Sequence, residues 1–216
     1  EGNLLRIYSS DPFSGESRQG LSVSTTSPPT EAPLCIFDFP RQRKKDGLCL
    51  TDYVRSRDFK DSSSSSAIQD HLAFFVVTVG KGVRQLSENL KNQGNYLKSH
   101  IIQALALESA EAYAEMLHSQ IRKGWGFPDS PDMTLLDRFQ AKYRGKRYSF
   151  GYPACPRLDD QSFLWSLLRP EEIGIQLTDG FMMDPEASVS AIVFHHPMAT
   201  YFSVGHQIGG ANEDNR

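Results

Sequence analysis

The segment His71–Gly80 (HLAFFVVTVG) constrains the fold more than any other part of the chain. It is apolar, β-branched and aromatic, and its unbroken apolar stretch, Leu72–Val77, is far shorter than the ~20 residues a bilayer span needs. A run of this length reads as one strand buried on both faces, and therefore as a central strand. The pattern then changes. From Lys81 to about Trp125 helix formers dominate, interrupted at Asn92-Gln93-Gly94-Asn95, which predicts a helix near Val83–Asn92 and a longer one near Tyr96–Lys123. On the longer helix Leu97, Ile101, Leu105, Ala112 and Met116 recur at four- or seven-residue steps and are expected to face the core.

The residues ahead of this strand are loop-rich. Short extended patches at Leu4–Tyr8, Leu34–Phe39 and Leu48–Tyr53 are separated by Ser/Pro/Gly-dense stretches such as Ser9–Pro33. The basic run Arg41-Gln42-Arg43-Lys44-Lys45 precedes Asp46-Gly47, so it reads as the solvated tip of a hairpin rather than a nucleic-acid patch. Ser62–Ser66 reads as a flexible surface loop and 207–216 as a polar tail. Behind the helices a Pro/Asp loop, Gly126–Pro131, leads to a short helix around Met133–Tyr143. Arg147–Pro156 is expected to be a stiff irregular loop, because two prolines three apart push Tyr152 and Cys155 to extended conformations. Asp160–Leu168 and Arg169–Ile175 read as short helices, the second begun by Pro170. Gln176–Asp184, Ala187–His195 and Thr200–Val204 alternate like an antiparallel meander. The sum is an α+β fold with a mainly antiparallel sheet and a central helical segment, and 216 residues suffice for a single domain with its own core.

Charge and cysteine usage exclude several classes. A net charge of −3 gives no pull toward nucleic acid or an anionic membrane. Cys35, Cys49 and Cys155 are odd in number with no CxxC spacing, which argues against a disulfide framework or structural zinc and for a reducing, cytoplasmic setting. No charged-then-apolar signal peptide opens the chain, and a first residue of Glu1 rather than Met marks it as an expected piece of a longer product.

Four constellations deserve chemical weighing. Gly80-Lys81-Gly82 follows a strand and opens a helix, but Gln85 stands where a dinucleotide fingerprint needs its third glycine, so a tight strand-to-helix turn is the reading. Glu111, Glu115 and His118 share one helix face, with the Glu-x-x-His spacing of half a carboxylate di-metal site; the other half is missing from the sequence. His195 and His196 would point to opposite faces of a strand, and Cys155 has no base beside it, so no catalytic group and no metal set is expected. Arg147–Pro156 is the most informative. An arginine fork, a permissive Gly151 and backbone groups fixed by prolines suit an α-amino acid head group, and Tyr152 adds a ring that can meet a sulfonium.

The string Arg147-x-x-x-Gly151-Tyr152-Pro153-Ala154-Cys155-Pro156 resembles the signature loop of the activation domain of cobalamin-dependent methionine synthase. Leu177–Ser190, His196-Pro197 with Tyr201-Phe202-Ser203-Val204, and the helix Ala110–His118 resemble further motifs of that family in the same order. The resemblance implies a helmet-like, C-shaped domain with a twisted sheet that binds S-adenosylmethionine. It implies that the domain supports reductive methylation of cob(II)alamin, with cobalamin held by a partner domain and an electron from flavodoxin or a flavoprotein reductase. By position, Arg147 would hold the methionyl carboxylate and Glu111 would lie near the amino group. Backbone at Ser149, Gly151, Tyr152, Pro153 and Ala154 would line the pocket, and Tyr201 and Phe202 would lie near the adenosine or the corrin face. Tyr148-Ser149-Phe150 departs from the family's Pro-Ala-Pro, and the family's upstream Trp-Thr-Pro-Phe segment has no counterpart here, so the chain is expected to lack the beginning of the domain. A non-catalytic module docking on a corrinoid or flavin protein is the alternative.

Overall fold

Residues 3–7, 22–23, 33–55 and 70–205 are described by the computed structural model. Most of Ser9–Pro33, the Ser62–Ser66 run and the 207–216 tail lie outside the described residues. The chain begins with β1 (Leu4–Ile7), β2 (Ser22–Val23), β3 (Cys35–Asp38), β4 (Asp70–His71) and β5 (Ala73–Thr78). Helices α1 (Gly82–Asn92), α2 (Tyr96–Gly124) and α3 (Leu135–Phe139) follow, then β6 (Lys146–Tyr148), α4 (Gln161–Leu168), β7 (Gln176–Leu177), β8 (Met183–Asp184) and β9 (Ser188–Phe194). This is an α+β fold in which the paired strands run antiparallel.

The central strand is β9, not the expected apolar segment His71–Gly80 that contains β5. β9 lies between β5 and β6, and each of its seven residues is buried, whereas β5 forms an edge. Two serines in β9 hid this from a reading of hydropathy. Their hydroxyls are satisfied inside the fold: Ser188 donates to the carbonyl of Pro185 (2.7 Å) and Ser190 to Gln161 Oε1 (2.6 Å). With partners in place, a buried hydroxyl no longer carries its desolvation penalty. Both faces of β5 are nevertheless covered: Phe75 and Val77 pack toward α2, and Phe74 and Val76 toward the opposite core.

The alternation of β9 divides the interior. Val189, Ala191 and Val193 face α2, where Ala110 and Ala114 meet them. Ile192 and Phe194 face a second core that holds Leu164 and Trp165 of α4 and an aromatic group around Phe37. Phe37 stacks on Phe39 (5.5 Å between centroids) and on Phe150 (5.9 Å), with Phe163 edge-on at 5.2 Å.

Helix α2 turns a different face inward from the one its large apolar residues mark. Leu97 is 74% exposed and Leu105 60%, and Ile101, Ala112 and Met116 are also exposed. Apart from Ser99, the buried positions are Ala106, Ala110, Ala114, His118 and Arg122, an unbroken i, i+4 ladder. Alanines let the helix axis approach a sheet whose Phe75, Val77 and Val193 supply the bulk. Helix α1 packs on the first half of α2 across a polar seam, where the Ser87 and Ser99 hydroxyls meet at 2.8 Å and the Gln103 amide donates to Ser87.

Other expectations are adjusted locally. Leu48–Tyr53 is not extended: Leu50–Tyr53 forms a 3-10 turn whose Asp52 accepts the Cys49 N–H (2.9 Å) and the fork of Arg41 (2.6 Å to each oxygen). Arg41 also donates to the Gly47 carbonyl (2.8 Å), so the first residue of the exposed basic run also braces the loop. The helix foreseen around Met133–Tyr143 is only α3, and Ala141 already sits at φ 50°. Arg147 and Tyr148 belong to strand β6, Gln176–Asp184 is a small hairpin of β7 and β8, and Thr200–Val204 pairs with no strand among the described residues. No helix among the described residues is long and apolar enough to cross a membrane.

Candidate functional site

Strand β6 sorts its side chains by alternation. Arg147 pairs in register with Val193 and so shares its face toward α2, while Tyr148 pairs with Ile192 and enters the aromatic core. On α2, Glu111, Glu115, His118 and Arg122 climb successive turns, from exposed to fully buried. The two elements meet through charge. Arg147 NH1 donates to Glu115 Oε2 at 2.5 Å, and its NH2 lies 3.7 Å from Glu111 Oε2. The Tyr143 hydroxyl donates to the same Glu115 oxygen (2.9 Å). Burial opposes the charge on Arg147, but the Glu115 hydrogen bond together with charge interactions with Tyr143, Glu115 and Tyr201 outweighs it, so its pKa stands above the ordinary arginine value.

Deeper along α2, Glu115 Oε1 lies 3.6 Å from Arg122, which forks onto Asp129 (2.6 and 2.7 Å) and lies over the Tyr143 ring at 3.7 Å. His118 is fully buried, edge-on to Tyr143, with neither ring nitrogen hydrogen-bonded among the described residues. Burial and then the charge of Arg122 push its pKa down to about 3, so the imidazole is neutral. In the Glu111, Glu115 and His118 stripe, Glu115 faces the cations Arg147 and Arg122, and no three His, Cys, Asp or Glu side chains among the described residues are grouped as metal ligands.

The loop after β6 is held from below and closed on itself. Of the three residues that depart from the resembled pattern, Tyr148 and Phe150 pack in the core and Ser149 lines the adjoining cavity. Gly151 stands at φ 83°, donates its N–H to the Cys155 carbonyl (2.8 Å), and Cys155 donates back to Tyr152 (2.8 Å). A Cβ on Gly151 would come 3.1 Å from Leu158, so this position calls for glycine on conformation and on space. The 199–204 segment forms the facing wall. Val204 donates to the Pro153 carbonyl (3.1 Å), and Gln42 Nε2 to the Ser203 carbonyl (2.8 Å).

Between these walls lies a cavity of about 620 Å³, within the range that small-ligand sites usually occupy. Eight of the nine residues expected from the sequence line it: Glu111, Arg147, Ser149, Tyr152, Pro153, Ala154, Tyr201 and Phe202. Gly151 does not; it shapes the turn from outside the lining. Tyr148, Cys155 and Ser203 line the cavity as well. The Cys155 thiol is buried and its pKa is pushed well above the usual range by that burial, which makes it an inert wall. Glu115 and Tyr143, which hold Arg147, were not among the expected residues; the i, i+4 spacing of Glu115 from Glu111 was the only signal in the sequence. The paired histidines serve structure. His195 Nε2 meets Asp70 at 2.6 Å, while His196 packs on Tyr53.

The cavity thus offers one guanidinium, one exposed carboxylate, ordered backbone and four aromatic rings, a set matched to a zwitterionic head joined to a planar group. Comparison with known proteins agrees. Residues 24–214 match the family model described as vitamin B12 dependent methionine synthase, activation domain. Methionine synthase of Mycobacterium tuberculosis is 35% identical over 189 residues, which cover 84% of this chain and 16% of that protein. The Mycobacterium leprae methionine synthase is 36% identical over 174 residues, covering 78% of this chain and 14% of that protein. The chain therefore spans about a sixth of the length of these relatives. The crystal structure of the MetH reactivation domain bound to AdoHcy matches with a TM-score of 0.72 at 27% identity, covering 93% of this chain and 59% of that one. This chain belongs to the family of the vitamin B12 dependent methionine synthase activation domain.

Proposed function

We propose that the cavity binds S-adenosylmethionine, and that the chain acts as the activation domain of a cytoplasmic, cobalamin-dependent methionine synthase, the methyltransferase that converts homocysteine to methionine. In this reading it supports the reductive methylation of cob(II)alamin to methylcobalamin, beside a cobalamin-binding domain and with flavodoxin or a flavoprotein reductase as electron donor. The observation that carries the reading is Arg147 held by Glu115 at the wall of a cavity that Glu111 also lines. The AdoHcy bound to the MetH reactivation domain has the same amino-acid and nucleoside ends.

Arg147 takes the methionyl carboxylate with its free edge, and Glu111 takes the ammonium. Backbone at Ser149 and Tyr152–Ala154 lines the path of the ligand, with Gly151 setting the turn that aims it. Tyr152, Tyr201 and Phe202 supply faces for the adenine and for a cation. When bound, S-adenosylmethionine supplies a sulfonium methyl group, which the reduced cobalt of a partner domain accepts. That chemistry asks the protein for no general base, and positioning is what these residues contribute.

Titration calorimetry of the chain with S-adenosylmethionine and with AdoHcy tests the proposal. Both are expected to bind, and Arg147→Ala to weaken both by about tenfold or more. No heat with either ligand defeats it, and capture of a corrinoid protein without nucleoside affinity would replace it with a docking module.

A further inference from the structure

Arg147 has two carboxylates within reach and is bonded to only one. Its NH1 meets Glu115 at 2.5 Å, while Glu111 Oε2 stays 3.7 Å from NH2, too far for a hydrogen bond. The outcome follows from the surroundings. The Glu115 side chain is 23% exposed against 57% for Glu111, so it is less hydrated and gains more from a cation. Its orientation is also fixed from behind, by the Tyr143 hydroxyl at 2.9 Å and by Arg122 at 3.6 Å from its other oxygen. Arg122 in turn is held by Asp129 and cannot follow.

We infer that Glu115 is a positioning residue for the ligand's amino-acid end: by taking one nitrogen of Arg147 it holds that guanidinium to a loose ion pair with Glu111, short of a hydrogen bond, so that both charges of the cavity can still turn to a ligand. The inference rests on the reading of the cavity given above. Without Glu115, the nearest anion to Arg147 is Glu111. Their loose ion pair would close into a direct hydrogen bond, and a zwitterionic ligand would have to break that bond before it could bind. Glu115 is not itself among the residues that line the cavity, so it reaches a ligand there through Arg147.

The test compares two probes on the unaltered chain and on Glu115→Gln, a change that keeps the hydrogen-bonding oxygen and removes the charge. AdoHcy carries the amino-acid end; 5′-methylthioadenosine has the same nucleoside thioether without it. Glu115→Gln is expected to weaken AdoHcy about tenfold and to leave 5′-methylthioadenosine within about twofold. In a Glu111→Gln background, where Arg147 has nothing to collapse onto, the same change is expected to cost much less, a coupling that a general loss of structure would not produce. Equal weakening of both probes, additive losses in the double variant, or an unchanged AdoHcy affinity overturns the inference. If 5′-methylthioadenosine binds too weakly to measure, the Glu111 cycle decides by itself. Failure of the unaltered chain to bind AdoHcy is a distinct result: it defeats the assignment of the cavity, and the inference falls with it.

Discussion

Tyr148 donates its hydroxyl proton to the backbone carbonyl of Thr200 at 2.7 Å, which ties the last residue of β6 to the segment that forms the opposite wall of the cavity. The same ring lies 5.5 Å from that of Tyr201. Burial raises the phenol pKa far above the usual tyrosine value, so the donor keeps its proton across the working pH range. Strand and wall are thereby one unit, and loosening one end is felt at the other.

Tyr148→Phe removes that hydrogen bond while keeping the ring packing. A stability loss of about 1 kcal/mol is expected, read from urea unfolding, together with a several-fold weaker AdoHcy affinity as the 199–204 wall loosens.

Ala114 is fully buried against the sheet, whereas Leu105 on the same helix is 60% exposed. Ala114→Leu is expected to destabilise the fold by roughly 1–3 kcal/mol by overpacking. Leu105→Ala should stay within about 0.5 kcal/mol. Urea midpoints of the two variants, measured side by side, check which face of α2 is structural; the opposite ranking would refute the buried alanine ladder.

His118 has its pKa pushed down to about 3 by burial and by neighbouring Arg122. Between that value and the ordinary histidine pKa of ~6.5, the unfolded chain binds a proton that the folded chain does not. Stability therefore rises with pH through this window and falls as pH drops, by about 1.4 kcal/mol per unit from this group. His118→Phe keeps the edge-on contact with Tyr143 and is expected to flatten the dependence; denaturation at pH 7, 6 and 5 would show it, and an unchanged slope would exclude His118 as its source.

Asp129 accepts two hydrogen bonds from Arg122, whose side chain is 1% exposed. The Arg122 hydrogen bond holds the Asp129 carboxyl below the usual range, so its contribution is complete above the unfolded carboxylate pKa of ~3.9 and is lost as pH falls through the folded value. Asp129→Ala leaves Arg122 a buried cation with only Glu115 nearby, and roughly 3–5 kcal/mol of stability should go with it. Pairing the change with Arg122→Met is expected to restore much of the loss, which thermal melts of the single and double variants would reveal.

Periodicity alone located α1, α2 and the strand character of β5 and β9, because local backbone preference and side-chain alternation are written residue by residue. The order of residues also marked the loop after Arg147, where two prolines and Gly151 restrict the chain whatever surrounds it. Eight cavity residues could be named from that loop, from one helix and from a resemblance in motif. What the sequence could not determine was which strand lies in the middle, which face of α2 turns inward, and which carboxylate holds Arg147. Each depends on groups distant in the chain. Serines become core residues when Gln161 and the Pro185 carbonyl accept their protons, and alanines become the buried face when Phe75 and Val193 bring the bulk. Arg147 chooses Glu115 because Tyr143 and Arg122 orient it in a drier place than Glu111. Burial and electrostatic strength are properties of the assembled interior, so only the tertiary structure could decide them.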